Sequence, residues 1–193
     1  MFLLRRPSPA AIERFLRASQ DAALSYGPIG LVTQVPSNRR VDEQVVAIGH
    51  GADDFRRARA ALIAWKQFEI GWTDLYPRQA SIEIGTEVAV VIRHLGFWSI
   101  NGGRVLYYAD GSNADNRFGY AYGTLTNHAE SGEELFEVFV DPETGDVMYR
   151  IRAVSWPQAA LALIGQPIVR MLQARFRRQS AAAMARATRA GNR

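Results

Sequence analysis

Apolar residues recur at helical spacing near both ends of the chain and once in between, and they alternate with polar residues through much of the rest. Ser8-Pro9 ahead of Ile12, Phe15 and Leu16 predicts a helix to about Ala23: the serine accepts an orphan amide and proline already has helical φ. Tyr26-Gly27-Pro28-Ile29-Gly30 ends it, and Val41 to Ile48 predicts a first strand. Asp53 or Asp54 then caps a helix over 53–68, with Phe55, Ala58, Leu62, Trp65 and Phe68 on one face. From Ile82 to Val154 the texture is that of strands: Thr86 to Trp98, Arg104 to Ala109, Arg117 to Leu125, Glu133 to Val140 and Val147 to Val154. The last pair is joined by the hairpin loop Asp141-Pro142-Glu143-Thr144-Gly145-Asp146. Alternation puts Phe118, Tyr120, Tyr122 and Thr124 on one face of their strand, and Gly119, Ala121 and Gly123 on the other.

Ser155-Trp156-Pro157-Gln158 fits a capping box and predicts the start of a final helix with an apolar stripe of Leu161, Ile164, Ile168, Leu172 and Phe176, kinked near Gly165 and Pro167. An apolar sheet face must be buried, and this helix is the element available to bury it. The expectation is an α+β fold, a curved antiparallel sheet wrapped around a long C-terminal helix with an extra N-terminal helix. It forms one domain over 1–193: helix and extended arm (1–40), sheet with inserted helix (41–154) and C-terminal helix (155–190).

Composition removes several chemistries. Cysteine is absent, which excludes disulfides, thiolate catalysis and cysteine-based zinc sites. No apolar run approaches the roughly 20 residues needed to span a bilayer, and Met1 to Leu4 is cut short by Arg5-Arg6-Pro7, so a cytoplasmic protein is expected. Gly49-His50-Gly51 lacks the third glycine of a dinucleotide fingerprint, and no G-x-S-x-G occurs. Beyond Val147 there are arginines and no acid; that pattern suits the solvated face of a packed helix, and equally a surface for anionic lipid or nucleic acid.

Tyr122-Gly123-Thr124-Leu125, then His128, Glu130, Gly132-Glu133-Glu134 and Phe136, resembles a family of uncharacterised bacterial and plant proteins marked by Y-G-T-L-x-x-H-x-E-x-G-E-E-x-F. Gly49-x-Gly51, Gly71-Trp72, Arg104-Val105, Tyr149-x-Ile151, Ser155-x-Pro157 and Gln173-x-Arg175-Phe176 extend the likeness from about Arg6 to Ala187. The resemblance supplies no reaction. The order of elements also resembles the helix-grip fold of the START and Bet v 1-like superfamily, which implies an apolar cavity between sheet and last helix.

His128, in a turn beside Glu130, Glu133 and Glu134, is the candidate for acid and base chemistry, since an imidazole titrating near neutral pH and oriented by a carboxylate makes a general base. Turns are also wet, and acids there equally cap amides or pair with arginines. Glu134 shares the face of Phe136 and Val138, so it is the carboxylate expected to be buried, with Arg152 or His94 as conceivable partners. Tyr120, Tyr122, Trp65, Trp98, Tyr107 and Phe136 are the candidates for lining a ligand cavity, with Trp72 beside them. Each buried tyrosine hydroxyl needs a partner, which a ligand can be. No metal and no cofactor is expected.

The sequence thus favours a binding protein for a small hydrophobic molecule. The alternatives are a metal-independent enzyme using His128 and a glutamate, and an accessory protein docking on anionic membrane or nucleic acid through its Arg-rich last helix. No RNA-binding motif and no interleaved aromatics accompany those arginines, so specific nucleic-acid recognition is not expected.

Overall fold

The computed structural model describes residues 1–94, 96–110, 115–158 and 166–189. Along the chain these form β1 (Phe2–Leu3), α1 (Pro9–Ser19), β2 (Asp42–His50), α2 (Gly51–Ile63), a 3-10 turn (Lys66–Phe68), β3 (Thr73–Tyr76), β4 (Glu87–Arg93), β5 (Trp98–Tyr108), β6 (Arg117–Thr124), β7 (Glu130–Val140), β8 (Asp146–Pro157) and α3 (Gln166–Arg189). The strands make one antiparallel sheet in the order β2-β8-β7-β6-β5-β4-β3, with β1 added to β5. The expected α+β helix-grip architecture is what the chain adopts.

The concave face presents Val88 and Val90 of β4, Val105 of β5, Phe118, Tyr120 and Tyr122 of β6, Phe136 and Val138 of β7 and Tyr149 and Ile151 of β8. Helix α2 and the second half of α3, through Ala181 and Met184, close over it. The convex face is covered in two places. Ile12 of α1 packs on Ala89, Val91 and Ile100, and Leu31 and Val32 of the arm between α1 and β2 pack on Ala121, Leu135 and Val154.

Several boundaries differ from those the sequence predicts. Ser99 to Gly103, which reads as a turn, is the first half of β5, and the chain reverses instead where the His94 amide donates to Phe97 O at 2.8 Å. The glycine at 103 serves close packing: a Cβ there would meet the Tyr122 ring at 2.6 Å. The helix predicted over 53–68 ends at Ile63, because Trp65 takes a left-handed conformation (φ 57°) that turns its buried indole to donate to Ala80 O at 3.0 Å. Ser155 is no helix cap: residues 155–157 continue β8 in register with Glu130 to Gly132, and strand pairing outweighs the local capping pattern. Of the predicted stripe, Leu161 and Ile164 lie outside the described residues, as does the Ile168 side chain, whereas Leu172 and Phe176 turn toward the sheet.

Candidate functional site

Between the concave face and the first turns of α3 lies a cavity of about 150 Å³. Alternation along β7 aims Glu130, Gly132 and Glu134 into it, and β6 adds Tyr122 and Thr124. The turn between these strands carries His128, and α3 supplies Leu172, Gln173, Phe176 and Arg177. Phe68 and Trp72, after α2, complete an aromatic wall in which the Phe68 and Phe176 ring centres lie 5.4 Å apart and Trp72 meets Phe176 edge-on at 6.4 Å. Gly132 has φ +151° and a Cβ there would meet Val154 O at 2.1 Å, so only glycine lets β7 lie this close to β8 while leaving a gap between the two glutamates.

The two glutamates differ in their partners. Glu130 Oε2 accepts from Ser155 Oγ at 3.1 Å and from Gln173 Nε2 at 3.0 Å, which ties β7, β8 and α3 together at one oxygen. Burial raises its pKa, and those two donors oppose the rise. Glu134 accepts from the Tyr122 hydroxyl, and burial pushes its carboxyl up to about 8, with the neighbouring Glu130 adding to the effect and Arg177 opposing it. Glu134 is therefore mostly protonated at neutral pH. Since the tyrosine donates to the carboxyl, the carboxyl's own proton is left for another acceptor.

His128 is half-buried, and desolvation pulls it down to about 4, so the ring is neutral. Its Nδ1 lies 2.9 Å from the Glu130 amide nitrogen and 3.0 Å from the Glu130 carbonyl oxygen, and it can serve one of them. An amide can only donate, and an orphaned buried N–H is rarer than an under-satisfied carbonyl, so Nδ1 accepts and the proton sits on Nε2. Among the described residues Nε2 has no hydrogen-bond partner. This corrects the expectation of a carboxylate-oriented base titrating near neutrality: a backbone amide orients the ring, and its free nitrogen is a donor.

The remaining expected residues divide. Tyr122 lines the cavity, while Trp65, Tyr120 and Phe136 lie in the core beside it and are absent from its wall. The Tyr120 hydroxyl is satisfied by Gln67 at 2.8 Å and Leu62 O at 3.3 Å, so it needs no ligand. Trp98 and Tyr107 are on the convex side. Trp98 packs by α1. A bulge between Val105 and Tyr107 flips Tyr107 off the concave face, and its hydroxyl bonds Glu133. Neither suggested partner reaches Glu134: Arg152 pairs with Glu43 at 3.8 Å, and His94 Nε2 meets Ser99 Oγ at 2.8 Å. Sequence reasoning placed Glu130 beside His128 without giving it a role and left Gln173 and Ser155 out of the site. The signal for Glu130 was its even spacing from Glu134, and for Gln173 its place one turn before Phe176. No group of three or more candidate metal ligands occurs among the described residues.

A family model described as "Domain of unknown function (DUF1990)" matches residues 25–183. A UPF0548 protein of Dictyostelium discoideum is 34% identical, covering 91% of this chain and 90% of its own. One of Deinococcus radiodurans is 32% identical over 97% and 98%. Among solved structures, a hypothetical protein of Helicobacter pylori superposes with TM-score 0.55 at 12% identity, covering 86% of this chain and 96% of its own. A Thalictrum norcoclaurine synthase mutant gives 0.53 at 10% (83% and 100%), and the Zhui aromatase/cyclase of a Streptomyces gives 0.52 at 15% (79% and 95%). These likenesses are of fold.

Proposed function

The chain belongs to the DUF1990 family, and from its cavity we propose that it binds a small hydrophobic molecule, about one aromatic ring in size, between the sheet and the C-terminal helix. The observation that carries this reading is the cavity itself, about 150 Å³ with an aromatic wall on one side and a few polar groups on the other. An apolar cavity of roughly that volume holds a benzene-sized guest. The fold likeness to a norcoclaurine synthase that holds a transition-state analogue is compatible with a guest in this position.

The test is thermal unfolding with α-methylstyrene as the probe. At a hundred times its dissociation constant a ligand stabilises the native state by about 2.7 kcal/mol, a rise of several degrees in Tm for a chain of this size. Ala153 lines the cavity from β8, and Ala153→Leu fills open space there. The variant should keep or raise the Tm of the free protein and lose the response to the probe. A wild-type Tm indifferent to α-methylstyrene at saturation in water would overturn the reading.

A further inference from the structure

We propose that the cavity recognises a neutral carbonyl compound, whose oxygen accepts hydrogen bonds from His128 Nε2–H and from the carboxyl O–H of Glu134. This deepens the preceding reading and rests on it. What each polar wall group has left to give decides which guest fits. Glu130 already receives two donors and Gln173 is spent on Glu130 and Ser155. Tyr122 is spent on Glu134. His94 Nδ1 also lacks a partner but is itself covered from solvent, which leaves two donors among the described residues: His128, half-buried, anchored through Nδ1 and unpartnered at Nε2, and Glu134, a wall residue whose own O–H is not used by Tyr122. Both offer a proton, and at neutral pH the histidine is neutral and the glutamate mostly so. A donor that a guest covers without giving it an acceptor costs about 1–3 kcal/mol, so a guest with one acceptor oxygen is favoured over one of the same shape with none.

The same inventory argues against charged guests. An ammonium would face the Nε2–H of His128 and would need Glu134 to give up its proton beside Glu130. A carboxylate would face both glutamates, and the one arginine at the wall among the described residues, Arg177, already stands 4.0 Å from Asp42.

Isothermal titration at pH 6.5 with four ligands of nearly one shape separates the possibilities: acetophenone, α-methylstyrene (methylene in place of the oxygen), 1-phenylethylammonium and benzoate. Acetophenone should bind at least tenfold more tightly than α-methylstyrene, and both ions more weakly than the alkene. Bound ¹³C-acetophenone should show its carbonyl stretch shifted to lower frequency. His128→Phe and Glu134→Leu should each remove most of the ketone's advantage, while Glu134→Gln, whose amide still donates, should keep most of it. The proposal is overturned if the alkene binds as well as the ketone, if either ion binds best, or if the carbonyl stretch does not move; in those cases binding of the alkene leaves the proposed function intact. Binding by none of the four overturns both. The infrared measurement uses the unaltered protein, so it decides even if a variant does not fold.

Discussion

Glu134 and His128 share one cavity and are displaced in opposite directions by the same burial, and their effects on stability can be separated by pH. His128 falls from 6.5 to about 4, so between those values the unfolded chain binds the proton the native state refuses, and stability rises with pH. Glu134 rises from 4.5 to about 8, so the native state keeps a proton that the unfolded chain loses, and stability falls with pH across that window. The slopes oppose each other from about 4.5 to 6.5; from 6.5 to 8 the glutamate acts without the histidine, opposed by the Met1 ammonium near His128, whose pKa burial lowers from 8.0. The groups facing Glu134 are Tyr122, Glu130 and Arg177, with Asp42 beside Arg177 and His128 across the cavity. Glu130, also raised, adds to the fall. The unfolding free energy of the wild type in urea should therefore decline from pH 6.5 to 8, with Glu134 contributing at most about 1.4 kcal/mol per pH unit and about half of that near pH 8, and Glu134→Gln should remove that contribution and stabilise the protein at pH 8. A slope unchanged by Glu134→Gln would mean the carboxyl is ionised in the folded state. The ketone of the preceding section should likewise bind more weakly above pH 8, where the O–H donor is lost. That Glu134 turns to the concave side was legible from its alternation with Phe136. That burial holds it neutral, and fixes His128 as a donor, was not, because both depend on which backbone and side-chain donors three separate strands bring within reach.

One position along β7 the same residue type does the opposite work. Glu133 points to the convex face, where Tyr26 Oη donates at 2.8 Å, the Gly30 amide at 2.9 Å, the Val32 amide at 3.4 Å, and Tyr107 Oη as well. This carboxylate is what ties the arm between α1 and β2 to the sheet, and Tyr26 and Tyr107 have their pKa values raised by burial and by its charge. Gln in its place has one acceptor oxygen for these donors and brings an amide that has to donate among them. Glu133→Gln should destabilise by about 2–4 kcal/mol, whereas Glu134→Gln stabilises at alkaline pH. Hydrogen exchange should show the Gly30 and Val32 amides opening far faster in Glu133→Gln; unchanged protection there would mean the apolar contacts of Leu31 and Val32 hold the arm by themselves. Period-two alternation predicted the opposite facing of these neighbours. It failed at Tyr107, where an inserted residue in β5 reverses the count, and at Ser155, where a capping pattern is equally good strand sequence. Bulges and strand ends are set by partners distant in the chain, so local pattern does not record them.

Across the whole molecule, α3 divides its work along its length. Its later turns complete the main core through Ala181 and Met184, while its earlier turns roof the cavity through Leu172, Gln173 and Phe176. The order of elements made a sheet wrapped on a final helix legible, and the helix-grip resemblance implied a cavity between them; its volume and wall were not legible, since they depend on sheet curvature and on how closely Gly132 and Gly103 let the strands approach. The exposed Arg170, Arg178, Arg186 and Arg189 have no ion pair among the described residues, and Arg175 lies over Trp72 with its guanidinium 5.0 Å from the ring centre, as the water-facing side of a packed helix requires. No described helix is long and apolar enough to cross a membrane. Phe176 is where core and cavity meet, its ring 5.4 Å from Phe68, 6.4 Å from Trp72 and 6.5 Å from Phe136. Phe176→Ala should cost about 3 kcal/mol, from lost burial plus the void left behind. It should also enlarge the guest that fits: naphthalene should raise the Tm of the variant and leave that of the wild type unmoved. If naphthalene stabilises both equally, the roof over the cavity yields to larger guests without losing Phe176, and the limit to a single ring is set elsewhere on the wall. If it stabilises neither while α-methylstyrene still binds, the variant has collapsed onto the space, and the roof is held by Leu172 and Gln173 rather than by the aromatic cluster.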